Sequence, residues 1–439
     1  MKIIVKNLEK DNFSKVIIEG GLKTKFPKVV KVKQKFIAHE IENIQAVLAQ
    51  QFQRIEISEK IKPGMSIAIG VGSRGITDLA EIIRSTVEEV KKRGGKPFIV
   101  PAMGSHGGAT AAGQKKILEN YGITETQVKA PVVSSMEVVQ IGQYYDKINL
   151  YFDKNAYQAD GIIPINRVKY HTDFRGVIES GLIKMLVIGF GKRKGAAAVH
   201  SLGKEELPNS IVEIGLDIMK KVPIIAGVAC LEDAYNHLSD LQVLTREEFL
   251  PQEKKLLKKS KSMMSRINLP AIDVLIINEM GKDISGTGFD PNIIGRFRGS
   301  EKNDLFSPRI KQVIVLDLTE KTEGNACGIG YADITVKKLI EKINFLPTYA
   351  NTFTGGSGDL FGVKLPVIMD TDQEAIALAI KLSYCKEPQQ AKLVRIKNTN
   401  QLEEIIVSEG IYEEIKDNQD FKRISALQPM TFDQAGNLL

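Results

Sequence analysis

The 439-residue chain predicts an α/β protein of two domains with a site in the cleft between them. Two observations predict it. Short apolar runs bounded by glycine alternate with longer stretches whose apolar residues recur at helical spacing. Such alternation implies parallel strands joined by right-handed crossovers. A polar helical stretch at 245–267, TREEFLPQEKKLLKKSKSMMSRI, reads as a connector. It separates a first domain, 1–262, from a smaller second one, 263–439. Clefts between domains are favoured places for small-molecule sites.

The elements follow in order. SIAIGVG (66–72) is short, apolar and glycine-ended, so a buried strand. TDLAEIIRSTVEEVKKRGG (77–95) opens with a Thr/Asp cap and closes on basic residues and two glycines, as a helix does. KPFIVPAMG (96–104) is the next strand and GATAAGQKKILENYG (108–122) the next helix. DGIIPINRV (160–168) reads as a strand, GVIESGLIKMLVIGFG (176–191) as an apolar helix, SIVEIGLDIMKKV (210–222) as a helix and PIIAGVAC (223–230) as a strand. The second domain offers strands at 271–278, 312–318 and 365–370, with helices at 333–343 and 372–384.

Composition narrows the function classes. Hydrophobic residues are 43% and charged residues 26%, as in ordinary globular proteins. The first sixteen residues, MKIIVKNLEKDNFSKV, lack the apolar core of a signal peptide, and no apolar run is long enough to span a bilayer. A cytoplasmic protein without a membrane partner is expected. Three cysteines without a CxxC pair support neither a disulfide framework nor a zinc site. The net charge of +7 gathers partly in KKRGGK (91–96) and KKLLKKSKS (254–262). Neither run is interleaved with aromatics, so solvated helix ends explain them better than nucleic acid. A mildly basic surface steers anionic substrates.

Three of the five histidines fall in short, small-residue segments: GSHGG (His106), KYHTDF (His171) and AAVH (His200). Histidine titrates nearest neutrality and is the commonest metal ligand. His106 and His171 each follow a predicted strand, where open α/β sheets bind ligands, so two bases from two directions are expected. GVGSRG (70–75) fits the dinucleotide fingerprint, but no acid ends the next strand. Its glycines still suit an anion near a helix start, with Arg74 as a bidentate donor. A tight turn with a surface arginine explains the same residues. Lys184 lies in an apolar helix, where burial makes an amine nucleophilic. A lysine snorkelling to the surface is the alternative. GFGKRKGAAAVH (189–200) offers Lys192, Arg193 and Lys194 to an anion, and INEMGKDISGTGFDPN (277–292) offers Glu279 and Lys282.

At these residues the chain resembles the nickel-dependent lactate racemase family. The resemblance covers most of the length and is most specific over 163–200. It implies a nickel pincer nucleotide covalently attached to Lys184, with His200 as the nickel ligand and Lys192 and Ser73 as further cofactor contacts. Ser73 stands in V-G-S-R-G (71–75), where the family has D-x-T-R-P. It further implies His106 and His171 as the two catalytic bases and Arg74, Glu279 and Lys282 as substrate ligands. The implied activity is racemisation or epimerisation of a 2-hydroxy acid, with cofactor-synthesis enzymes as partners. Glu279 is acidic where the family has a neutral amide, which favours a substrate larger than lactate, with further hydroxyls. Another enzyme on this scaffold, a dehydrogenase or dehydratase, and a non-catalytic cofactor-binding protein are the alternatives.

Overall fold

The computed structural model describes residues 24–172, 174–296, 308–354 and 360–439. The stretch 1–16 and Asp173 of KYHTDF lie outside them. In chain order the strands are β1 (Lys28–Gln34), β2 (Ser66–Val71), β3 (Lys96–Pro101), β4 (Val138–Tyr144), β5 (Ile148–Asp153), β6 (Gly161–Arg167), β7 (Ala226–Glu232), β8 (Leu238–Thr245), β9 (Ala271–Ile277), β10 (Arg309–Val315), β11 (Ile334–Val336), β12 (Val367–Met369), β13 (Leu393–Ile396), β14 (Glu404–Ser408), β15 (Phe421–Arg423) and β16 (Gln428–Pro429). Both units are α/β. Among the described residues no helix is long and apolar enough to cross a membrane.

The unit Ile37–Met264 carries a five-stranded sheet of order β3-β2-β6-β7-β8. β3, β2, β6 and β7 run parallel, and β8 is antiparallel to β7. Successive side chains of a strand face opposite sides of the sheet. Accordingly Ile67, Ile69 and Val71 of β2 join one core and Ala68 joins the other. Both faces are covered, which is why β2 reads as a continuous apolar run. The helix Leu79–Lys92 buries Leu79, Ile82, Ile83, Val87 and Val90 on one of them. Each such side chain contributes about 1.5–3 kcal/mol on burial. On the other face Phe190 stacks on Phe152, ring centroids 4.8 Å apart. Phe190 also lies directly on β2, where a Cβ at Gly70 would come within 2.2 Å of its ring.

The second unit joins Ser265–Leu439 to β1. Its sheet runs β12-β11-β10-β9-β13-β14-β1-β15, with β16 also on β1. The pairs from β12 through β13 are parallel; β14, β1, β15 and β16 add antiparallel pairing.

Several expectations need correction. The sequence puts residues 28–34 in a domain 1–262, but β1 pairs with β14 from Val29↔Ser408 to Lys33↔Glu404. The helix expected over 176–191 starts only at Leu182. Gly181 is fully extended and Ser180 forms an isolated antiparallel bridge with Lys169, so the chain before Leu182 is not helical. The helix expected over 333–343 is the strand β11 followed by the short helix Lys337–Glu341. The Thr/Asp cap at 77–78 also fails. Asp78 is left-handed and makes no cap bond, while Thr77 bonds Glu232 and Asn236 instead.

Candidate functional site

The strand order sets up a site before any side chain is considered. The chain leaves β2 for β3 on one side, and β6 lies on the other side of β2. The carboxyl ends of strands at such a reversal form the crevice where open α/β sheets bind ligands. Gly72–Arg74 follow β2, His106 follows β3, and Asn166, Arg167 and His171 end or follow β6.

Lys184 comes to this edge on a short built segment. Leu182–Lys184 is one helical turn, started by Gly181. Oε1 of Glu253 accepts the N–H of Leu182 and, at 3.0 Å, that of Ile183. A side chain at Gly181 would strike that carboxyl, with Cβ at 2.8 Å. Asn166 Nδ2 donates to the Gly181 carbonyl at 2.8 Å, tying the segment to β6. Directly after Lys184, Met185–Gly189 forms a π turn, closed by Phe190 N–H to the Met185 carbonyl at 2.9 Å. Such turns recur at functional sites. The loop carrying His106 packs on it, with the Gly104 N–H donating to the Gly189 carbonyl at 3.0 Å. The β2 loop abuts it as well. A Cβ at Gly72 would lie 3.3 Å from both Asn166 Oδ1 and the Met185 methyl.

His171 and Lys184 meet through Phe174. The His171 ring stacks on Phe174 at 4.2 Å, and Lys184 Nζ lies 5.2 Å from the same ring. Burial pushes the His171 pKa well below its ordinary 6.5, and the charges of Lys184, Lys169, Arg175 and His200 push it further. The electrostatics therefore group His171, Lys184 and His200, and leave the imidazole neutral at pH 7. The backbone of His171 is fixed by buried Glu179, which accepts its N–H at 2.6 Å. Arg175 Nη1 donates to the His171 carbonyl at 2.6 Å.

A cationic pair, Arg167 and Arg74, stands at the carboxyl ends of β6 and β2. Arg167 forms an ion pair with Glu232, both largely buried. Burial lowers the Arg167 pKa to about 10, helped by the charge of Arg74, so the two guanidiniums are neighbours. Arg74 itself is exposed. Ser73 offers its carbonyl to Tyr121 Oη at 3.0 Å. His106 is exposed, and Gly107 after it is left-handed (φ 65°) and pressed on the backbone of Gly113. No side chain other than hydrogen fits there.

Lys192 is the site residue that the structure corrects. It is fully buried. Its Nζ pairs with Asp153 at 3.0 Å, donates to the Pro101 carbonyl and reaches Gln114 Oε1 at 3.4 Å. The ammonium is enclosed and already paired with an acid inside the fold, so it does not receive a phosphate. Its neighbours Arg193 and Lys194 are exposed, Lys194 over the Tyr151 ring at 4.3 Å. Glu279 and Lys282 lie in the other unit, after β9. Glu279 Oε1 accepts from Asn398 at 2.9 Å, and Lys282 Nζ donates to the Gly286 carbonyl.

Sequence reasoning missed Phe174, Glu179 and Glu253. Phe174 stood inside the quoted KYHTDF motif and was legible as an aromatic beside a histidine. Glu253 carried no signal, because one glutamate in a polar helix looks solvated until its burial is seen. Among the described residues no group of three or more His, Cys, Asp or Glu side chains could hold a metal ion.

Comparison with known proteins adds the following. A family model described as a domain of unknown function (DUF362) matches residues 61–244, under half of the chain. No curated protein matches. Among solved structures, a protein from Thermotoga maritima is similar at 11% identity and a TM-score of 0.49, over 82% of this chain and 97% of its own. The lactate racemase apoprotein from Thermoanaerobacterium thermosaccharolyticum is similar at 13% identity and a TM-score of 0.47, over 89% and 92%.

Proposed function

We propose that the protein is a 2-hydroxyacid racemase or epimerase that holds a nickel pincer nucleotide through Lys184 and His200. The observation that carries the reading is the grouping of His171, Lys184 and His200 at the carboxyl edge of the sheet, with Phe174 between the first two. The donor set fits such a group. Lys184 would offer an amine for covalent attachment and His200 an imidazole to the nickel, whose remaining donors would come from the nucleotide. Exposed Arg193 and Lys194 take over the phosphate role expected of Lys192. When bound, the group supplies the acceptor for the hydride that leaves C2 of the substrate.

The rest falls to the chain's own residues. Arg74, exposed beside the ion-paired Arg167, binds the substrate carboxylate through two parallel N–H donors. His171 is neutral, so its ring can accept the hydroxyl proton. Burial holds its basicity down, the charges of Lys169 and Arg175 add to it once Lys184 and His200 hold the cofactor, and an arriving carboxylate offsets those charges. Substrate binding therefore raises the pKa of His171 when a base is needed. His106, on the loop after β3, across β2 from β6, serves the opposite enantiomer.

The test is protein produced with the cofactor-synthesis enzymes and given a panel of enantiopure 2-hydroxy acids, with chirality and C2 deuterium followed by time. Inversion with deuterium retained supports the reading. A net oxidation or a loss of water, with no inverted product, would replace racemisation by another reaction. The acidic Glu279 is the sequence reason to place polyhydroxy acids first in the panel. Lactate as the best substrate would overturn that preference.

A further inference from the structure

Lys192, released from the cofactor, sits in a buried polar network that touches three segments of the candidate site. Lys192, Asp153 and Gln114 have no solvent exposure. Lys192 Nζ is shared between Asp153 Oδ2 at the end of β5, the Pro101 carbonyl at the end of β3, and Gln114 Oε1 on the helix Ala111–Asn120. Gln114 turns its amide the other way. Nε2 donates to the Gly104 carbonyl at 3.0 Å and to the His106 carbonyl at 3.3 Å. Lys192 is the first residue of the helix that ends at His200, and its φ of +52° is one that a non-glycine residue adopts only under constraint. Asp153 Oδ1 is anchored in turn by the Ala156 N–H at 2.8 Å.

We infer that Asp153, Lys192 and Gln114 form a buried brace that fixes the His106 loop against the start of the helix bearing His200. Lys192 and Gln114 are then positioning residues. They touch neither substrate nor cofactor, and they act by setting the distance between a base and the metal ligand. A buried charge left without its partner is strongly destabilising, whereas replacing both partners by apolar groups of similar volume is tolerated. That difference separates a positioning role from a packing role.

Two variants test it in the full chain: Gln114→Leu, and the paired change Lys192→Met with Asp153→Leu. With five histidines in the sequence, imidazole NMR resonances can be assigned by substitution. In variants whose melting temperature stays near wild type, the His106 and His200 resonances should shift or broaden, and those of His39 and His237 should not. In cofactor-loaded enzyme, kcat should fall about tenfold or more with KM changed less than twofold, the signature of geometry lost in the transition state. The inference rests on the proposed function only for this second readout. Unchanged His106 and His200 resonances in both folded variants would overturn the brace whatever the activity. Perturbed resonances with no racemase activity even in wild type would leave the brace standing and overturn the proposed reaction.

Discussion

Glu253 makes a prediction whose size follows from the structure. Its carboxyl is fully buried and accepts the N–H groups that open the Lys184 turn. Burial pushes its pKa up from 4.5 to about 8, against the opposing pull of those two hydrogen bonds. The folded protein therefore keeps a proton at neutral pH that the unfolded chain releases near pH 4.5. Below that pH both states are protonated and the group is neutral toward folding. Between pH 4.5 and 8 the unfolded state ionises alone, so stability falls as pH rises. The slope is about 1.4 kcal/mol per pH unit. Above pH 8 both states are ionised and the loss levels off, at roughly 5 kcal/mol as an upper value. Glu253→Gln keeps a carbonyl oxygen for the two N–H groups and removes the proton. Urea unfolding at pH 5, 6, 7 and 8 should give a variant profile flatter than wild type by one proton. The extra amide N–H costs about 1–3 kcal/mol if it finds no partner. That cost is the same at every pH, so the slope difference is the quantity to read. Parallel profiles for the two proteins would refute the assignment of a protonated Glu253.

Three further outcomes are expected. Substituting His106 or His171 by Ala should lower turnover by about 10² or more, each affecting one enantiomer's conversion first; near-normal rates in either variant would remove that residue from the reaction. Arg74→Gln should reduce kcat/KM by about 10- to 100-fold, the scale of a lost charge-assisted bond, mainly through KM. His171, with its pKa depressed by burial in the folded state, should titrate by NMR well below the ordinary 6.5 and move upward when a carboxylate ligand is added. By linkage its contribution to stability is lost as pH falls below 6.5, because only the unfolded chain then takes the proton readily.

Much of this was legible because local patterns and the sheet agree. β2, β3, β6 and the helix Leu79–Lys92 follow from apolar periodicity, and each lies within a few residues of its expected bounds. The placement of His106 and His171 followed from their position after strands, which needs no knowledge of long-range contacts. What failed was of three kinds. β1 pairs with a strand almost four hundred residues away, and nothing local marks such a pairing. Of the hairpin β4–β5, β4 carries little signal because no residue of it is fully buried, whereas the alternation of Ile148, Leu150 and Phe152 in β5 was legible and passed over. Lys192 was read by its charge in a KRK run, yet of the three it is the one drawn inward. A run of like residues does not reveal which member has an acid, Asp153, waiting inside.

The central claim is that Lys184 carries the nucleotide. Its most direct test is intact-mass and peptide-mass analysis of the protein produced together with the cofactor-synthesis enzymes and nickel. The account predicts an added mass on the peptide containing Lys184, absent from Lys184→Ala and retained, without bound nickel, in His200→Ala. An adduct on a different lysine, or an unmodified chain from a host shown to load an authentic nickel pincer enzyme, would contradict it.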